Sequence, residues 1–220
     1  DNIYNGAQDN ATGTAGLLSL AQLFSQLPEP PERSVAFLAV TAEESGLLGS
    51  QWYGENPLFP LATTVANINM DGLNVYGPMR DVVVVGYGNS ELEDYLRDAV
   101  ALQPGRYVAA EPHPQRGYYY RSDHFNFARQ GVPALYAESG EDSFEHGREW
   151  GAKQAQEYTT NRYHSTNDEY NPDWDMNGAA LDIMLYFEIG LRLSRESTFP
   201  NWYPGAEFRS VRDASASSRQ

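Results

Sequence analysis

The 220 residues include 30 Asp and Glu against 15 Lys and Arg, a net charge of -15, with 41% apolar and 13% aromatic residues. This composition fits one folded domain with a real core and argues against a disordered chain or a nucleic-acid partner. With no cysteine in the sequence, disulfides and thiolate sites are excluded and any metal must be held by His, Asp and Glu; no apolar run approaches the roughly 18 residues of a membrane span.

In chain order, residues 11–27 place Leu17, Leu20, Leu23, Phe24 and Leu27 largely on one helical face, with Asp9 or Asn10 positioned as cap. "PEPPE" stops that helix. Residues 34–40 form a continuous apolar run of strand length, expected for a strand buried on both faces. A short helix is predicted over 45–53 and a strand over 64–70 that ends at Asp71-Gly72. Further strands are expected at 82–85, 107–110 and 134–137, and helices at 90–101, 123–130 and 177–194. Residues 141–170 are long, polar and weakly periodic, and read as an irregular functional loop. Residues 205–220 read as a polar, disordered tail following a catalytic domain over 1–204. The alternation of strands and helices predicts an α/β fold, a mixed, mostly parallel sheet sandwiched between helices.

Chemistry in such sheets collects outside the carboxyl ends of the strands. Glu43 and Glu44 follow one predicted strand, Asp71 follows another and Glu138 a third, while Asp9 opens the first helix. Each has a plain reading of its own: Asp9 a cap, Asp71-Gly72 a turn, the Glu pair a solvated helix start. Together they converge on one edge, where carboxylates repel unless a proton or a cation lies between them. Among four His, His164 lies in a polar loop with little reason to hold a buried imidazole. His124 precedes a helix and a strand, His113 sits in a Pro-flanked turn, and His146 fits either a surface or a site role.

Five segments, "NGAQDNATGTAGLLSLAQ", "FLAVTAEESGLLGSQWY", "ANINMDGL", "RSDHFNFARQGVPAL" and "YHSTNDEY", occur in the order found in the M28 zinc aminopeptidases, and the chain resembles that family over residues 5 to about 193. The resemblance implies a zinc-exopeptidase fold and removal of N-terminal residues from peptides with a free N-terminus. It implies two zinc ions, with Asp9 bridging both, Glu44 and His164 completing one site, and Asp71 serving the other. Glu43 then resembles the general base and Tyr163 the phenol that hydrogen-bonds the tetrahedral intermediate. The Asp123-His124 pair matches a motif near the substrate pocket, and Glu138, at its predicted strand end, is the acid expected near the substrate's free amine. Members are often secreted or periplasmic, so an extracellular or periplasmic location is expected.

One family ligand lacks a counterpart: a His upstream of "NGAQDN". No His precedes His113. The expectation is a catalytic domain lacking its N-terminal part. Divergence to one metal is the other account, since Asp9, Glu44 and His164 alone make a three-ligand zinc site. Fold-related glutaminyl cyclases, which use one zinc, are the alternative enzyme. A catalytically silent binding domain of the transferrin-receptor type is the alternative from another class. A calcium-binding surface domain fits poorly, because His164 is unwelcome in an all-oxygen shell.

Overall fold

The computed structural model describes residues 3–219. The elements run α1 (Gly13–Ser25), α2 (Leu48–Glu55), β1 (Asn67–Asn69), β2 (Asp81–Val84), α3 (Leu92–Ala101), β3 (Tyr107–Ala110), α4 (His124–Arg129), β4 (Ala134–Ser139), α5 (Gly147–Asn161), α6 (Asn177–Arg195) and α7 (Arg209–Ala214). Four strands form one sheet in the order β1-β4-β2-β3. The β1/β4 and β2/β3 pairs are parallel, and β2/β4 is antiparallel. The mixed, mostly parallel sheet expected from sequence is therefore present.

Each face of the sheet has its own core because successive side chains point to opposite sides. On one face Val82, Val84, Leu135 and Ala137 meet Leu92 and Leu96 of α3 and Leu185 and Ile189 of α6. On the other, Val85, Ala134 and Tyr136 meet Ala128 of α4 and the C-terminal residues Trp202 and Phe208. Strand β2, Asp81 followed by three valines, is buried at all four positions, as befits an inner strand covered on both sides. Helix α1 stacks on α6 through Phe24 and Phe187, whose rings meet edge-on at 5.1 Å. Beneath α6, Arg106 and Asp182 form an ion pair of 2.6 Å, both side chains almost fully buried. The Ser139 hydroxyl donates to the same Asp182 carboxylate at 2.6 Å, so α6 is tied to the end of β4 by charge as well as packing. No helix among the described residues is long and apolar enough to cross a membrane.

Three regions depart from the sequence expectation. Residues 34–40 are not a buried strand: they join no ladder among the described residues, and Phe37 and Leu38 are 37% and 39% exposed. A strand exists only where a neighbouring edge supplies its hydrogen bonds, and β1 pairs with β4 alone. The segment is held by a ring contact between Phe37 and Phe24 at 5.9 Å. The polar stretch 141–170 contains α5, fifteen residues long, in which Gly151 alone is buried. Such a helix has no apolar stripe to betray it. The tail at 205–220 is not disordered over its described part. It contains α7, and the buried Arg212 donates to the carbonyls of Thr64 and Val65 at 2.8 and 3.1 Å.

Trp202 is fully buried and its indole N–H donates to the Gly131 carbonyl at 3.0 Å. Trp202→Ala should lower stability by about 3–5 kcal/mol, read as a lower urea midpoint. A loss below about 1 kcal/mol would place the C-terminal segment outside the core.

Candidate metal centre

Three loops build the site. The first, residues 6–12, begins at Gly6 with φ 57°, where a Cβ would lie 2.6 Å from the Asp9 carbonyl oxygen. The Thr12 hydroxyl donates to the Gln8 carbonyl at 2.6 Å and accepts from the Leu73 N–H at 2.7 Å. A Cβ on Gly13 would lie 2.6 Å from the Asp71 carbonyl oxygen. The Asp9 loop and the loop after β1 therefore meet backbone to backbone, and only glycine permits that approach. Asn10, not Asp9, supplies the acceptor for the Gly13 N–H, at 3.0 Å. The Asp9 carboxylate is thereby left to the site.

The second loop, residues 41–49, folds back on itself. The Gly49 N–H donates to the Thr41 carbonyl at 2.9 Å, and the Leu47 N–H to the Glu43 carbonyl at 2.8 Å. It presents Glu43 half-buried and Glu44 exposed. The third loop follows α5 and carries Tyr163, whose ring stacks on His164 at 3.7 Å. Among the described residues, the non-glycine positions with positive φ are Ala42, Leu47 and His164. All three lie in the second and third of the site loops, which is where stored backbone strain tends to collect.

These loops bring His164 Nε2 to 2.8 Å from Glu44 Oε1 and 3.3 Å from Asp9 Oδ2. One ligand atom from each of Asp9, Glu44 and His164 lies within 4.8 Å of the other two. Two carboxylate oxygens and an imidazole nitrogen at that spacing fit the donor set of a zinc ion with one position left open.

Asp71 stands beside this trio without joining it. Its Oδ2 accepts from the Ser122 hydroxyl at 2.7 Å and its Oδ1 from the Gly72 N–H at 3.1 Å. Glu138 lies behind it, accepting from the Tyr136 hydroxyl at 3.5 Å. A cavity of about 10 Å³, room for about one water, is lined by Asp71, Glu138, Ser139 and Asp182 among others. Asp123 is half-buried, and burial raises its pKa. His124 is fully buried between the rings of Tyr119 and Tyr136, at 4.7 and 5.2 Å, and burial pushes its pKa down to about 3. It is a neutral packing ring at any physiological pH.

The electrostatics follow from like charges held close. Burial, then the neighbouring Asp71 and Glu44, raise the Asp9 carboxyl to about 6, with His164 opposing. Burial, then Asp71, Glu44, Asp123 and Asp9, raise Glu43 to about 8. Burial and Asp71 push Glu138 up to about 7. Burial and the Asp9 and Glu44 charges also raise the Tyr163 phenol, which stays protonated and able to donate. A cation among these groups would favour their ionised forms.

Asp9, Glu43, Glu44, Asp71 and His164 are thus neighbours; convergence is expected of the acids from their places in the sequence, while His164 is expected here only from the family resemblance. Sequence reasoning passed over Thr12, Ser122 and the buried Asp168. Hydroxyls that fix loops leave no pattern in a single sequence, and Asp168 sits in a polar stretch where an acid looks solvated.

The sequence profile of peptidase family M28 matches residues 1–188. The chain belongs to that family. Among solved structures, the aminopeptidase LapA of Legionella pneumophila is similar at a TM-score of 0.67 with 19% identity, over 90% of this chain and 49% of that one. Glutaminyl cyclase of Porphyromonas gingivalis is similar at 0.51 with 18% identity, over 87% of this chain and 63% of the other. A vacuolar membrane protease of Pyricularia oryzae is 36% identical over 67 residues, 30% of this chain and 7% of that protein. The chain therefore spans about half the length of LapA and a small part of the protease.

The raised carboxyl groups set a pH dependence. For Glu43, folded near 8 against an ordinary value of 4.5, the folded state binds more protons than the unfolded state between those values. Metal-free protein should therefore lose stability as pH rises from about 5 to 8. Asp9 contributes the same sign between 3.8 and about 6. Thermal melts in chelator should show a falling midpoint over that window, and Glu43→Gln should flatten it. A midpoint that is level, or that rises with pH, would contradict the shifts.

Proposed function

We propose that this chain carries the catalytic site of a zinc-dependent aminopeptidase. The observation that carries the reading is the convergence of Asp9, Glu44 and His164 within 4.8 Å, with Glu43 adjacent on the same loop. Asp9, Glu44 and His164 would hold one zinc, and Asp71, beside them, would serve a second. When bound there, zinc lowers the pKa of a water and polarises the scissile carbonyl.

Glu43 takes the proton from the attacking water and delivers it to the leaving amine. Its separation of labour from Glu44 follows from their shared backbone anchor, with one carboxylate fixed as ligand and its neighbour left to move a proton. Tyr163, protonated and 39% exposed, donates to the carbonyl oxygen as charge develops there. The free amine of the substrate, a cation at neutral pH, would be drawn toward Glu138, which lies behind Asp71. This electrostatic preference for a terminal ammonium is what would make the enzyme an exopeptidase.

The likeness to a glutaminyl cyclase, together with a ligand trio sufficient for a single zinc, favours one second reading: cyclisation of N-terminal glutamine with release of ammonia. Two assays separate them. Aminoacyl p-nitroanilides report peptidase activity, and ammonia release from Gln-peptides reports cyclisation.

Glu43→Gln should reduce kcat by about 10²–10⁴-fold with zinc content unchanged by elemental analysis. His164→Ala should lose zinc. Near-normal turnover in the first variant, or unchanged zinc in the second, would remove that residue from its role.

A further inference from the structure

Asp168 is 3% exposed, four residues beyond His164, and its carboxylate reaches back to the first site loop. One oxygen accepts from the Gln8 N–H at 2.9 Å, the other from the Asp9 N–H at 3.0 Å and from the Tyr158 hydroxyl at 3.3 Å. Its own carbonyl accepts from the Ala7 N–H at 3.1 Å. One residue thus joins the Asp9 loop, the end of α5 and the His164 loop.

The choice of a carboxylate there is electrostatically adverse, because its charge lies close enough to Asp9 to oppose that group's ionisation. Geometry explains it. Two successive backbone N–H groups converge on the two oxygens of one planar group. Asn offers one acceptor and would turn its amide donors toward the second N–H. Only an ionised carboxyl satisfies both, and bonds of that kind are about twice as strong as neutral ones.

We propose that Asp168 is the positioning residue of the metal centre, fixing Asp9 relative to His164 and so setting the affinity for zinc. This rests on the reading of Asp9, Glu44 and His164 as zinc ligands. The local geometry argues for it directly. Asp9 and His164 are 155 residues apart in sequence yet 3.3 Å apart in space, and Asp168 bonds the backbone of one while standing four residues from the other. If these bonds loosen, the two ligands part.

The test compares two lesions of one kind. Glu93 is also buried, at 1% exposure, and also accepts backbone N–H groups, from Gly88 and Asn89 at 2.7 and 2.8 Å. It stands outside the metal centre. Asp168→Asn and Glu93→Gln should both lower the melting temperature of zinc-free protein. Only Asp168→Asn should weaken zinc, by about 10–100-fold, in competition titrations against a chromophoric chelator. Glu93→Gln should bind zinc as the parent does. Tyr158→Phe removes one bond to Asp168 and leaves the backbone bonds in place. It should weaken zinc by about 2–10-fold, and it keeps the test open if Asp168→Asn does not fold. Parent protein that binds zinc, with Asp168→Asn or Tyr158→Phe binding equally well, overturns the positioning role alone. Parent protein that binds no zinc overturns the ligand assignment and the positioning role with it.

Discussion

Carboxylates that share a small, half-buried volume repel one another, and the surrounding structure must hold them together against that repulsion. Five acids meet this condition here: Asp9, Glu43, Glu44, Asp71 and Glu138. Much of the local architecture is a response to it. Thr12 locks the Asp9 loop to the Leu73 backbone, Ser122 donates to Asp71, and the loop carrying both glutamates closes through its own carbonyls. The positive φ values at Ala42, Leu47 and His164 belong to the same response. A cation placed among these groups would offset the repulsion, and the His164 imidazole lies within reach of the same point.

The sheet supplies what the loops cannot, namely a rigid floor. Both core faces are filled with branched and aromatic side chains, and the Asp182 carboxylate ties α6 to Ser139 of β4, next to Glu138, and to Arg106 just ahead of β3. The site loops are therefore anchored at their bases and strained at their tips. Antiparallel pairing of β2 with β4 in an otherwise parallel sheet sets Glu138 opposite Val83, at the register where it can approach Asp71.

Reading the sequence recovered the elements that carry a strong period: α1, α3, α6, and the strands β2, β3 and β4. It missed α5 because a helix held mainly by propensity shows no apolar stripe. It took residues 34–40 for a buried strand because composition reports what a segment can do, while pairing depends on a distant edge. It misjudged the tail because Trp202, Phe208 and Arg212 are widely spaced anchors in a polar stretch. Asp9 and Asp71 stand near a helix start and after β1 as their sequence positions suggested, whereas Glu43 and Glu44 follow a segment that is not a strand, and it was the family resemblance that gave these acids roles. The supports were not legible. Asp168, Thr12 and Ser122 act through hydrogen bonds to backbone or carboxylate groups, most of them far away in sequence, and no local pattern encodes a partner 160 residues distant.

The contact of Arg212 with the carbonyls of Thr64 and Val65 spans 148 and 147 residues. Those carbonyls stand at the entrance to β1, which leads directly into Asp71. During synthesis the chain emerges from its N-terminus, so β1 and the site loops are made long before the residue that clamps them. The sheet edge beneath the candidate site stays incompletely secured until Arg212 has been made. A chain that stops short of Arg212 would carry Asp9, Glu44, Asp71 and His164 without the clamp at the base of β1.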